Sequence, residues 1–117
     1  MPAPIVFFDI AGPDGATQAD FYKQVFDWTA GTGGALSVPL GSPILAGTLW
    51  TDPPGKVIYL GVPNIATTQA EITAHGGKII APRFEMKGVA VLCLFTDPAG
   101  NSMGLVELAA DGKPKVP

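Results

Sequence analysis

The strongest constraint on this chain is that its order of elements starts twice. An apolar, β-branched and aromatic run, Ile5-Val6-Phe7-Phe8-Asp9-Ile10, is stopped by Gly12-Pro13-Asp14-Gly15 and followed by helical spacing. A shift of 50 lays Phe7, Phe8 and Asp9 on Val57, Ile58 and Tyr59, and Gly12-Pro13-Asp14 on Val62-Pro63-Asn64. A shift of 51 lays Thr17-Gln18-Ala19-Asp20-Phe21 on Thr68-Gln69-Ala70-Glu71-Ile72. One such strand–helix unit cannot bury its apolar face alone, so the copies are expected to build one fold. A second likeness, Leu49 to Gly55 against Leu94 to Gly100, needs a shift of 45 and contradicts the first. It would leave the second copy without an opening strand, so it reads as shared turn chemistry.

In the first copy Phe21, Val25 and Trp28 recur at i, i+4 and i+7, which predicts a helix over 16–28 with one apolar face. Either Asp14 caps it, or Thr17 and Asp20 close it as a capping box. Glycine and proline then break the chain into strands over 35–40 and 44–51, with a third, very short strand near Trp28. Asp52-Pro53-Pro54-Gly55 is a turn. The second copy reads as a strand over 57–62, a helix over 67–75 ended by Gly76-Gly77, and strands over 78–81, 89–96 and 102–108. Asp97-Pro98-Ala99-Gly100-Asn101 joins the last two strands as a hairpin. Residues 109–117 have little to bury and are expected to fray.

Composition narrows the function classes. At 117 residues, with 47% apolar and 15% charged, the chain is expected to form a single globular domain rather than a disordered one. Its parts are module one over 1–55, module two over 56–108 and the tail over 109–117. No apolar run is long enough to span a membrane, and Met1-Pro2-Ala3-Pro4 does not open a signal peptide. The single cysteine, Cys93, forms no internal disulfide, so a reducing, cytoplasmic location is expected. Net charge is −3, and up to residue 55 only Lys23 stands against Asp9, Asp14, Asp20, Asp27 and Asp52. That balance argues against nucleic acid as a partner.

Phe7-Phe8-Asp9-Ile10, then Asp14, then Phe21-Tyr22-Lys23-Gln24-Val25-Phe26-Asp27-Trp28, resembles the opening of the glyoxalase/bleomycin-resistance/extradiol-dioxygenase superfamily, also called vicinal oxygen chelate. Tyr59-Leu60-Gly61-Val62, His75-Gly76-Gly77-Lys78 and the Asp97–Asn101 turn ahead of Glu107 carry the resemblance through the second half. The resemblance implies an α+β fold: two βαβββ modules whose strands form an open, curled mixed β-sheet barrel around a pocket. It also implies a homodimer. Metal-using members of the superfamily place ligands on the opening and closing strands of each module. Carried over, those positions match Phe7, then Val57 or Tyr59, then Glu107 on the last strand, and a fourth within 44–51, where only apolar and hydroxyl side chains occur. A catalytic divalent ion needs about three protein ligands, so no metal and no cofactor are expected. The only histidine, His75, is expected to serve the C-terminus of its helix, and Cys93 to be an inert core thiol.

Strand alternation puts Phe7 and Asp9 on one face, with Val6, Phe8 and Ile10 on the other against the helix. Val57, Tyr59 and Gly61 are expected to face as Phe7 does, and Met103, Leu105 and Glu107 to share a face of the last strand. The expected ligand pocket is therefore Phe7, Asp9, Trp50, Val57, Tyr59, Phe95 and Glu107, apolar and aromatic with few polar groups. The leading functional expectation is a metal-independent protein that binds a small aromatic or apolar molecule. The alternatives are a metal-free isomerase, epimerase or lyase using Asp9 or Glu107 as acid or base, and a degenerate module acting as an accessory subunit.

Overall fold

A computed structural model describes residues 2–39 and 44–117. Among them the elements run β1 (Ile5–Gly12), α1 (Gly15–Phe26), a 3-10 turn (Thr32–Gly34), β2 (Ala35–Pro39), β3 (Ile44–Thr51), β4 (Gly55–Val62), α2 (Ile65–Ala74), β5 (Lys78–Met86), β6 (Ala90–Thr96) and β7 (Ser102–Glu107). The fold is α+β, with a mixed seven-stranded sheet and two helices.

The repeat is visible at each level of local structure. β4 begins and ends 50 residues after β1. The Asp14 carboxylate accepts from the Thr17 N–H at 3.0 Å, and the Asn64 side chain accepts from the Thr67 N–H at 3.0 Å. One offset therefore runs through both strands and both caps, without the extra residue that the helix sequences suggested. Asp14 is the cap, and the Thr17 hydroxyl donates back to it at 2.8 Å. The closing strands match too. Gly12 pairs with Thr51 and Val62 with Glu107, and in each copy the next N–H, of Asp52 or Leu108, reaches the same opening-strand carbonyl. The two Asp-Pro turns are not equivalent: one leaves β3, the other enters β7.

Contacts group the chain into two compact units. In the unit of residues 7–57, β3 is central, parallel to β1 and antiparallel to β2. Leu36, Val38 and Leu49 are buried there, with Phe8, Ile10, Ala19, Tyr22 and Trp28 packed against them. In the unit of residues 58–117, completed by the N-terminal residues to Val6, the sheet order is β4-β7-β6-β5. β4 and β7 are parallel and the other pairs antiparallel. Its core is Val62, Ile65, Val91, Cys93, Phe95 and Leu105. β2 and β5 are the edge strands.

Four expectations are corrected. α1 ends at Phe26 because Asp27 turns left-handed (φ 58°) and its N–H returns to Lys23 and Tyr22 carbonyls. No strand forms near Trp28, whose ring instead folds back and stacks on Tyr22, centroids 5.3 Å apart. β5 does not stop at Pro82 but runs to Met86, with register shifts on both sides of Ala81. An edge strand tolerates a proline that donates no ladder bond. Finally, the tail is tied down rather than frayed. Leu108 bridges Pro114, the Lys115 N–H donates to the Glu107 carbonyl, and the Gly88 N–H donates to that of Pro117. Residue 40, the last of the expected second strand, lies outside the described residues.

Asp14→Ala and Asn64→Ala each remove a side-chain cap and are expected to cost about 1 kcal/mol. Urea unfolding of the two variants checks this, with the midpoint falling and the slope unchanged.

Candidate functional site

Each unit has a helix-covered sheet face and an averted one, and strand register decides which residues stand where. In the unit of residues 7–57, Phe8, Ile10 and Leu49 lie on the α1 side. Phe7, Asp9 and Ala11 therefore alternate onto the averted face, as the sequence indicated. Asp9 pairs in register with Thr48, and Ala11 with Trp50, so β3 presents Thr48 and Trp50 beside them. Ala35 pairs with Thr48 and Ser37 with Ala46, which extends this face across β2 with small side chains. Trp50 is 49% exposed, while Phe7 and Asp9 are half-buried.

In the other unit the register separates residues that were expected together. Tyr59 pairs with Gly104, and a β-carbon on Gly104 would run into the Tyr59 ring. Tyr59 is thus buried over a glycine on the averted face, in line with Leu94, the partner of Gly104 on β6. Val57, the last residue of the unit of residues 7–57, is two residues before Tyr59 and shares its side of β4. Phe95 and Leu105 belong to the cluster with Ile65 on the α2 side. Glu107, three residues beyond Gly104, also points to α2. Glu107 and Phe95 therefore do not join Tyr59. The residue across from Tyr59 is Gly104, so the last-strand ligand position carried to Glu107 is corrected. The error came from taking the nearest acid in the strand rather than the register of the pair.

What Glu107 does is structural. It is 3% exposed, and its carboxylate is fully engaged. Oε1 accepts from the Ile65 N–H, in the first turn of α2, at 2.8 Å. That is one of the N–H groups a helix start leaves without an internal partner. Arg83, the only arginine, donates to Oε2 at 2.9 Å and to Oε1 at 3.3 Å, and Lys115 donates to Oε2 at 3.2 Å. The Gln69 side chain accepts from the Arg83 backbone N–H. The Arg83 bond is the largest cause that lowers the Glu107 pKa to about 2, with the Ile65 N–H and Lys115 adding to it against the opposing cost of burial. A carboxylate ionised this firmly neither takes nor gives a proton near neutrality. Sequence reading missed Arg83 and Lys115 as its partners; the only signal was a lone arginine in a lysine-based chain.

His75 closes α2, its Nδ1 donating to the Glu71 carbonyl at 2.9 Å with the side chain 77% exposed. Burial raises the Cys93 thiol pKa and keeps it neutral in the core. No group of three or more His, Cys, Asp or Glu that could hold a metal ion gathers among the described residues. Two open hollows indent the unit of residues 58–117. One, of about 490 Å³, lies under the tail beside Arg83, Glu85 and Val91, and the other, of about 560 Å³, lies along Ala66, Ala70 and Thr73. None of the expected pocket residues lines either. No helix among the described residues is long and apolar enough to cross a membrane.

No protein-family model matches the chain. Two curated relatives are similar in sequence. The anthracycline biosynthesis protein DnrV of Streptomyces peucetius is 25% identical over 95% of this chain and 56% of its own length. The anthracycline biosynthesis protein DauV of Streptomyces sp. (strain C5) is 29% identical over 89% of this chain and 46% of its own. The chain thus spans about half the length of the curated relatives it matches. Among solved structures, a methylmalonyl-CoA epimerase in complex with methylmalonyl-CoA and NH4+ superposes with TM-score 0.67 at 17% identity, covering 97% of this chain and 100% of that one. The methylmalonyl-CoA epimerase of Mycobacterium tuberculosis gives 0.65 at 12% identity, over 92% and 89%. A Legionella pneumophila structure described as an NAD-dependent benzaldehyde dehydrogenase gives 0.66 at 15%, over 92% and 100%.

The Glu107 pKa lies below its ordinary value of 4.5, so its stabilisation is complete above pH 4.5 and is lost as pH falls toward about 2. The difference corresponds to roughly 3 kcal/mol for this 3%-exposed group. Urea unfolding across that acid window is expected to show the loss in the native chain and a much flatter profile in Glu107→Gln.

Proposed function

We propose that this chain, which has the fold of the glyoxalase/bleomycin-resistance/extradiol-dioxygenase superfamily, binds a small aromatic or apolar molecule without a metal ion held by its own side chains. The observation that carries this is Trp50, a large indole left 49% exposed on a sheet face, across from the small side chain of Ala11 and two residues along β3 from Thr48. Exposed tryptophan on a rigid strand is a ready stacking surface for a flat ligand. Phe7 and Asp9 stand on the same averted face, while Val57 and Tyr59 supply the equivalent positions of the second copy. Phe95 and Glu107 leave the expected set, since both serve the α2 side.

The comparisons support a small-molecule ligand in two ways. The epimerase structure holds a CoA ester on the same fold, and both curated relatives are named for anthracycline biosynthesis. An acid–base enzyme would now rest on Asp9 alone, because Glu107 is locked in its ion pairs. The protein acts as a homodimer in the cytoplasm. α1 buries none of its residues and leaves Phe21, Val25 and Phe26 more than half exposed, apolar surface that a second copy would cover. The reduced, buried Cys93 supports the reducing compartment.

In a Trp28→Phe variant, Trp50 is the sole tryptophan emitter. A panel of planar aromatics is expected to quench that emission and raise the melting temperature of the native chain, equally before and after EDTA treatment. Trp50→Ala should weaken binding about tenfold. A panel that neither quenches nor stabilises removes the binding reading; stabilisation that vanishes with EDTA removes its metal independence.

A further inference from the structure

We infer that the hollow under the tail is a second binding site, one that takes a small apolar carboxylate. Arg83, Lys113 and Lys115 hold its anionic group, and its apolar part rests on Val91 and Val116. The site is separate from the Trp50 face and does not rest on the reading made for it. Its volume of about 490 Å³ lies in the range that small-molecule sites occupy.

The tail builds this hollow. The Ala109 N–H donates to the Lys113 carbonyl, and the Asp111 carboxylate accepts from the Lys113 N–H at 2.9 Å, which closes residues 109–113 into a turn. The Lys115 N–H then returns to the Glu107 carbonyl, and the Gly88 N–H donates to that of Pro117. The roof of the hollow is therefore fastened on both sides. Val91, 2% exposed in the core cluster of α2, stands at its floor, while Val116 is left 65% exposed.

Glu107 sets two of the cations. Arg83 gives it Nε and Nη2, and neither bond uses Nη1. The Arg83 side chain stays 39% exposed and lines the hollow, so the second edge of its guanidinium suits another carboxylate. Lys115 gives Glu107 one bond of the three an ammonium can make, and its side chain is 45% exposed. Lys113 belongs to none of the ion pairs among the described residues. Three of the seven basic residues of a chain with net charge −3 thus meet here, one from β5 and two from the tail. Of the two acids in the lining, Asp111 accepts from its own turn and Glu85 is exposed on the edge strand.

A matched aliphatic series tests this, since it lacks a ring to stack on Trp50: cyclohexanecarboxylate, cyclohexanemethanol and protonated cyclohexanemethylamine, titrated into the isotope-labelled full chain. The carboxylate is expected to move the amide signals of Gly88, Val91 and Lys115 and to leave the Trp50 indole N–H in place. It should bind about tenfold tighter than the alcohol, with the ammonium weakest. Lys113→Gln is expected to weaken the carboxylate about threefold, and Glu85→Gln to tighten it by about the same factor. Both positions are exposed. Should either variant unfold, added salt on the native chain replaces it and is expected to weaken the carboxylate alone. Equal affinity for carboxylate and alcohol overturns the ionic recognition, as do variants that change nothing. Shifts confined to Trp50 and its neighbours overturn the placement. A carboxylate that moves no signal overturns the site and leaves the Trp50 reading, with its own probes, untouched.

Discussion

Everything distinctive in this molecule depends on one constraint, the parallel pairing of the first and last strands in each copy of the repeat. β1 with β3 and β4 with β7 are joined in the same register, each closed by an N–H from just past the last strand. Because side chains alternate along a strand, that register assigns each residue to the helix side or the averted side. It puts Thr48 and Trp50 beside Asp9 and Ala11, and it puts Gly104 under Tyr59. A slip by one residue would bury Trp50 against α1 and turn Leu49 outward.

The two copies use their closing strands for different ends. In the second, β7 ends in a buried carboxylate that fastens the start of α2, the edge strand β5 through Arg83, and the tail through Lys115. A buried, ionised group of this kind is tolerable only because its oxygens are filled by one backbone donor and two cationic side chains. At the equivalent register in the first copy stands Thr51, a short hydroxyl that takes no such role, and the preceding residue is the exposed Trp50.

That division also bears on the reactions open to the fold. General acid–base chemistry calls for a group whose pKa lies near neutrality, and Glu107 is held far below that.

The repeat, and Asp14 as one of two candidate caps of α1, were legible in the sequence because both are written in residues a few positions apart, whereas the expected face of Phe21, Val25 and Trp28 was not what the fold buries: Phe21 and Val25 are more than half exposed and Trp28 lies beyond the helix. Asp14 and Asn64 cap their helices through N–H groups three residues on, and such geometry is written in local residue type. The facing of Phe7 and Asp9 followed equally from alternation within one strand. Tertiary structure alone decided that Glu107 points to α2, that β5 continues past Pro82, and that the tail docks. Each of those depends on partners far along the chain: Ile65 is 42 residues from Glu107, and Arg83 is 24. Alternation tells which residues of a strand share a side, but only pairing with another strand says which side that is.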